Sequence, residues 1–225
     1  MRIDGQELDP GIQLLLRVMA LRGSGSLISS QDATPSAERA RLRREALQMA
    51  RTRTEVGAVR EADVDGALGP RSARHYTPAQ IVGPHPLLVF VHGGGWTVGD
   101  LDTHDEACRM LCHHAGIQVL SIDYRLAPKH PFPAGLEDVM AAWRWAHANA
   151  GQLGADAERV AIGGDSAGGN LSAVATYLLA RDGGPAPAQQ ILIYPATDFV
   201  ERYRSSELFG SGFFLTHSNR DWCEG

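Results

Sequence analysis

Four short apolar runs, Leu87 to Val91, Val119 to Asp123, Val160 to Ile162 and Gln190 to Tyr194, are separated by segments whose apolar residues recur at helical spacing. Runs of this kind, alternating with helices, predict a mostly parallel sheet covered on both faces, an α/β fold. The helices are expected at Asp105 to His114, at Leu136 to Ala148, where Val139, Trp143 and Ala146 share a side, and at Ala167 to Arg181. Two more polar, weakly alternating runs, Ala58 to Val64 and Arg71 to Tyr76, read as antiparallel edge strands. Ahead of Val56 the pattern is amphipathic helix. Asp9 serves as N-cap with Pro10 in the first turn, Leu14, Leu15, Val18 and Met19 come next, and Gly23 ends the helix. After a Gly/Ser linker from Gly23 to Ser30, a second helix starts at Thr34-Pro35 and carries Leu42, Ala46, Leu47 and Met49 on one stripe. The change of pattern divides the chain into 1–55, two opening helices, and 56–225, the α/β domain.

Composition narrows the function classes. With 225 residues, 44% of them hydrophobic and 21% charged, the chain can bury a sizeable core. A net charge of -5 without any Lys/Arg block offers no footprint for a phosphate backbone, so nucleic acid is excluded as a partner. Acidic residues Asp4, Glu7 and Asp9, and Arg17 inside the first apolar run, fit neither a signal peptide nor a membrane span. Three cysteines form no even framework and suit a reducing compartment, so a cytoplasmic location is expected. Cys108 and Cys112, beside His113 and His114, have no second ligand cluster to complete a tetrahedral set, and no metal is expected.

Chemistry concentrates at two glycine-rich corners. Gly164-Asp165-Ser166-Ala167-Gly168 directly follows a strand and directly precedes a helix. A serine on such a bend is raised above the sheet, and small neighbours let the turn close and a carbonyl approach. The N–H of Ala167, at a helix N-terminus, faces the place where negative charge develops. The alternatives are a chemically silent helix start or a phosphate loop; no G-K-[ST] follows and no G-x-G-x-x-G fits. The second corner is His92-Gly93-Gly94-Gly95-Trp96, at the end of the strand Leu87 to Val91. Three glycines can turn their N–H groups into a cavity, while His92 reads as a brace of the loop and not as a base.

His92-Gly93-Gly94-Gly95-Trp96, Asp123-Tyr124-Arg125-Leu126-Ala127-Pro128 with His130-Pro131-Phe132-Pro133-Ala134, and Gly164-Asp165-Ser166-Ala167-Gly168-Gly169-Asn170, in that order, resemble the hormone-sensitive-lipase-like esterases of the α/β-hydrolase superfamily. The resemblance runs from about Val56 to Phe214, and the opening helices are similar to the cap of that family. It implies an α/β-hydrolase fold and a carboxylesterase acting on short- to medium-chain acyl esters without a cofactor. It makes Ser166 the nucleophile and the N–H groups of Gly94, Gly95 and Ala167 the oxyanion hole, with His92, Gly93 and Asp165 supporting them. Lys129 departs from the pattern, since the family has glutamate after Ala-Pro, and a supporting salt bridge is placed in doubt.

A serine hydroxyl needs a histidine to take its proton and an acid to orient that histidine, in the order Ser, acid, His in this fold. After Ser166, one helix and the strand ending at Tyr194 fill most of the chain, and the residues beyond Tyr194 read as loop and helix. The family's last two strands, with the Asp-Pro-Leu and His-Gly segments that bring the acid and base, are therefore expected to be missing, as in a truncated and weakly active or inactive chain. Asp198 and His217, the only histidine downstream of Ser166, have the right order as fallback partners. Yet Leu215-Thr216-His217-Ser218 resembles the start of a cap helix. The rival reading is a catalytically silent relative that binds a hydrophobic ligand or a partner. Missing strands would leave a sheet edge unpaired and favour self-association.

Overall fold

The computed structural model describes residues 2–21, 26–50, 52–80, 83–201 and 203–224. They form two compact units, residues 39–197 and residues 1–38 with 198–225.

The larger unit is built on a six-stranded sheet. Its strands are β3 (Ala58–Gly66), β4 (Gly69–Thr77), β5 (His85–Val91), β6 (Gln118–Ile122), β7 (Ala155–Asp165) and β8 (Gln189–Ile193), in the spatial order β3-β4-β6-β5-β7-β8. The β5, β6, β7 and β8 pairings are parallel, while β3 pairs with β4 and β4 with β6 antiparallel. Helices α3 (Asp105–Ala115), α4 (Ala134–Ala148) and α5 (Ala167–Arg181) supply the crossovers, each within two residues of its expected bounds. Three of the four apolar runs are buried, with Leu87 to Val91 almost wholly enclosed, whereas the fourth, in the edge strand β8, is half-buried at Ile191 and Ile193 and leaves Leu192 and Tyr194 exposed. One cluster joins Val89, Leu120 and Ile162 to Trp143, Val139 and Leu179, and another on the opposite side joins Leu88 and Phe90 to Cys108 and Cys112.

Only β3 of the antiparallel pair lies at an edge; β4 is internal, with Ala73 and Tyr76 fully buried. Its polar residues look like an edge because they are satisfied by partners distant in sequence. Arg74 bonds Asp102 at 2.9 Å and Asp105 at 3.2 Å, Tyr76 donates to Asp105 at 2.9 Å, and buried His75 meets Gln118 at 2.7 Å.

The smaller unit holds a two-residue hairpin, β1 (Arg2–Ile3) with β2 (Gln6–Glu7), and α1 (Pro10–Leu21), α6 (Arg204–Phe209) and α7 (His217–Glu224). Asp9 caps α1 as expected, accepting from the N–H of Gly11 at 2.8 Å and of Ile12 at 3.2 Å. The expected stop at Gly23 lies outside the described residues. No residue of α1 is buried, and Leu14 is 62% exposed.

The units do not part near Val56, where the sequence pattern changes. Helix α2 (Pro35–Met49) begins in the smaller unit, where buried Glu38 is bonded by Ser29. From Arg39 onward it belongs to the sheet unit. Arg39 donates to the carbonyls of Thr97 at 2.7 Å and Ala127 at 2.6 Å, and Arg43 pairs with Asp102. Along its expected apolar stripe Leu42 and Ala46 are half-buried while Leu47 and Met49 stay exposed. Among the described residues, no helix is long and apolar enough to cross a membrane.

Candidate active site

Strand β7 runs straight into the bend at Ser166, whose φ of 52° and ψ of -117° lie where an L-residue is strained. The bend is fixed from both sides of its peptide. Its N–H donates to Ile193 O at 2.9 Å, and its carbonyl accepts from Asn170 N at 3.0 Å and Ala196 N at 3.2 Å. The flanking glycines permit this because the elbow presses on the end of β5. A Cβ on Gly164 would lie 2.0 Å from Val91 O, and one on Gly168 1.9 Å from the same atom. Ser166 itself is half-buried and Ala167 is buried at the start of α5, whose first amides have no intrahelical acceptor.

The triple-glycine loop leaves β5 beside this elbow. Gly94 has φ +116° and Gly95 +56°, and a Cβ on Gly94 would lie 2.2 Å from Val98 O, whose own N–H returns to Gly94 O at 2.9 Å. Only glycine fits a loop folded that tightly in that region. Gly93 ties the two corners together, since its N–H donates to Asp165 Oδ1 at 3.0 Å.

Beneath the loop lies a buried stack. His92 faces the Tyr124 ring at 4.4 Å, Tyr124 donates its hydroxyl to His92 O at 2.9 Å, and His92 Nδ1 donates to Gly93 O at 2.8 Å. Nε2 of His92 is enclosed with no partner among the described residues. Full burial, then the neighbouring His104, pushes the His92 pKa down to about 4, so the ring is neutral. Burial also pushes the Asp165 pKa up, but the hydrogen bond from His104 and the N–H of Gly93 outweigh it and hold the carboxyl below its ordinary range.

Two residues here have no local sequence signature. His104, just before α3, places Nε2 3.3 Å from Asp165 Oδ1. Tyr194 follows β8 with φ 35° and leaves its side chain 74% exposed, next to the main chain that holds Ser166. Positive φ at an aromatic residue costs enough to mark a constrained site, yet nothing in the local pattern announces it.

Asp198 and His217 belong to the other compact unit and are engaged there. Asp198 is exposed, accepting from Val200 N at 2.8 Å and from Tyr203 Oη at 2.7 Å. His217 opens α7 with Nδ1 2.5 Å from Arg220. Ser166 Oγ has no hydrogen-bonding side chain among the described residues. Lys129, at the position of the doubtful salt bridge, is exposed, and Arg125 nearby in sequence bonds Asp138 at 2.7 Å within the core. Cys108 is buried and its pKa is raised by that burial; among the described residues, no group of three or more His, Cys, Asp or Glu could hold a metal ion.

A hydroxyl on a strained bend, at a helix N-terminus and beside a glycine loop, is the kind of arrangement in which an oxygen can attack a carbonyl carbon and main-chain N–H groups can receive the anionic oxygen. The family described as the alpha/beta hydrolase fold matches residues 88–225. Carboxylic ester hydrolase LipN of Mycobacterium tuberculosis is 50% identical over 226 residues, which cover 98% of this chain and 59% of LipN. Ethyl acetate hydrolase of Pseudomonas putida is 43% identical over 136 residues, 60% of this chain and 43% of that protein. An ester hydrolase from the Lake Arreo metagenome superposes with a TM-score of 0.89 at 38% identity, over 97% of this chain and 70% of that one. A Pyrobaculum calidifontis esterase gives 0.85 at 32%, over 96% and 68%. The chain thus spans less than two thirds of the length of these curated relatives. By motif order, by fold and by these matches, the chain belongs to the alpha/beta hydrolase fold family, among relatives that are hormone-sensitive-lipase-like carboxylesterases.

Proposed function

We propose that this chain carries the nucleophile and oxyanion hole of a carboxylic ester hydrolase acting on short- to medium-chain acyl esters. The observation that carries the reading is the strained conformation of Ser166, pinned to the triple-glycine loop through Asp165 and Gly93. In this reading Ser166 Oγ bonds to the ester carbonyl carbon, and the carbonyl electron pair moves to oxygen, where the N–H groups of Gly94, Gly95 and Ala167 receive it. Collapse of the tetrahedral species expels the alcohol oxygen, which takes up the proton lost by Ser166. Water then hydrolyses the acyl-serine to the free acid. No cofactor or metal enters these steps. The proton transfers need a base, and the engagement of Asp198 and His217 inside the smaller unit argues against that pair.

The same engagement favours a second reading, a silent relative that binds a hydrophobic ester-like ligand. The composition supports a cytoplasmic site of action, and the open edge of β8 supports self-association. Reaction with a fluorophosphonate and then peptide mass spectrometry test the leading reading. A single adduct on Ser166, absent from Ser166→Ala, is expected; an unmodified Ser166 would sink it and leave the silent relative.

A further inference from the structure

His104 stands outside every motif, yet it meets the one carboxylate that joins the two glycine corners. Three separate elements converge there: the exit of β5 at Gly93, the end of β7 at Asp165, and the residue preceding α3. Oδ1 of Asp165 takes two donors, the N–H of Gly93 at 3.0 Å and Nε2 of His104 at 3.3 Å. The loop closes over the carboxylate so tightly that a Cβ on Gly93 would lie 2.3 Å from Oδ2.

The imidazole is itself oriented. Its Nδ1 lies 2.9 Å from Thr103 Oγ1, a hydroxyl bonded to both the N–H and the carbonyl of Asp100 at 2.8 Å, and its ring sits 5.4 Å from that of His92. The threonine hydroxyl has one proton: when it goes to Nδ1 the neutral ring carries its own proton on Nε2, and when it stays on the Asp100 carbonyl Nδ1 donates and Nε2 is a donor only in the doubly protonated ring. The carboxylate 3.3 Å away favours the forms that carry a proton on Nε2 over a neutral ring that would point a bare nitrogen at it.

We propose that His104 is a positioning residue for the oxyanion hole: by holding the Asp165 carboxylate against the N–H of Gly93, it fixes the start of the loop that aims the Gly94 and Gly95 amides at Ser166. The inference rests on the assignment of Ser166 as nucleophile. Without His104 the carboxylate keeps one donor and can turn away, and the glycine loop loses its tie to the elbow. A small displacement of pre-aimed amides lowers the rate of bond formation at Ser166 more than it weakens binding of the reagent.

Two readouts on the 225-residue chain test this. In amide NMR spectra the Gly93 proton is expected far downfield, as a donor to a carboxylate, and to move upfield in His104→Ala but not in His104→Gln, whose amide donor can replace Nε2. In fluorophosphonate labelling of Ser166, His104→Ala is expected to lower the saturating rate about tenfold with the half-saturating concentration within about twofold, and His104→Gln to recover the rate to within about threefold. Should the alanine variant fail to fold, His104→Phe, which fills the space without a donor, takes its place. Full labelling rate with an unmoved Gly93 amide, or a glutamine variant no better than alanine or phenylalanine, overturns the proposal. If the unsubstituted chain gains no adduct at Ser166, the nucleophile assignment fails instead, while the Gly93 amide still reports on the His104 contact.

Discussion

A methyl group on Gly168 would sit 1.9 Å from Val91 O, a main-chain atom at the end of the internal strand β5 that has nowhere to go. Gly168→Ala is therefore expected to destabilise the fold by about 3 kcal/mol or more, seen as a lower urea midpoint. Gly151, where an added Cβ meets nothing within 4 Å, should accept alanine with a change below about 0.5 kcal/mol. His92 makes a prediction of another kind. Its pKa, pushed down to about 4 by burial, lies below the unfolded value, so between those two values the unfolded chain binds more protons. Stability contributed by the neutral ring is present above about pH 6.5 and is lost as pH falls toward about 4, a total of about 3 kcal/mol. Thermal melts at pH 7 and pH 5 should show a smaller drop for His92→Asn, which keeps the donor to Gly93 O; an equal drop in both proteins would place the acid sensitivity elsewhere. The bend at Ser166 and the loop from Gly93 to Gly95 were legible because their conformation is local: a bend or a loop that needs those residues writes itself into consecutive positions. His104 and Tyr194 were not, since a lone histidine before a helix and a tyrosine after a strand acquire meaning only through contacts with Asp165 and the elbow.

Strands β5, β6 and β7 were read correctly from the apolar pattern because each buries an almost unbroken run, while β8 carries the same pattern at the sheet edge with its side chains only partly buried. Strand β4 misled for the opposite reason, since its arginine and histidine are neutralised inside the fold by Asp102, Asp105 and Gln118. The β1 and β2 hairpin went unread although Asp4-Gly5, with φ 52° and 78°, is a familiar signal for a two-residue turn. Between β6 and α4 the core holds a buried ion pair, Arg125 with Asp138. Asp138 accepts from Arg125 Nε at 2.7 Å, from Arg125 N at 3.0 Å and from Ala67 N at 2.9 Å, and is 1% exposed. Asp138→Ala leaves the buried guanidinium with only the more exposed Glu137 carboxylate, 3.6 Å away, and should cost about 3 kcal/mol in chemical denaturation. Lys129→Glu, which restores the residue the motif led one to expect, should change stability by less than about 0.5 kcal/mol, because the exposed side chain has no part in that pair.

Across the whole chain, the sheet unit holds Ser166 and both glycine corners, whereas Asp198 and His217 serve the smaller unit. Ester turnover by residues 1–225 is therefore expected to be slow. His217→Ala and Asp198→Asn should leave the fluorophosphonate labelling rate at Ser166 within about twofold, since loss of a working triad member costs orders of magnitude; a large fall in either variant would make the pair catalytic after all. The boundary expected near Val56 was invisible in its true position because α2 is one continuous helix whose two halves answer to different partners, Ser29 for Glu38 and the Thr97 and Ala127 carbonyls for Arg39. The amide of Ser166 is tethered to Ile193, the last residue of the outermost ribbon of the sheet. Whatever zips onto that rim, another molecule or further polypeptide, stiffens the perch of Ser166 directly, and fraying of the rim slackens it, so the labelling rate proposed for that hydroxyl would gauge who occupies the border.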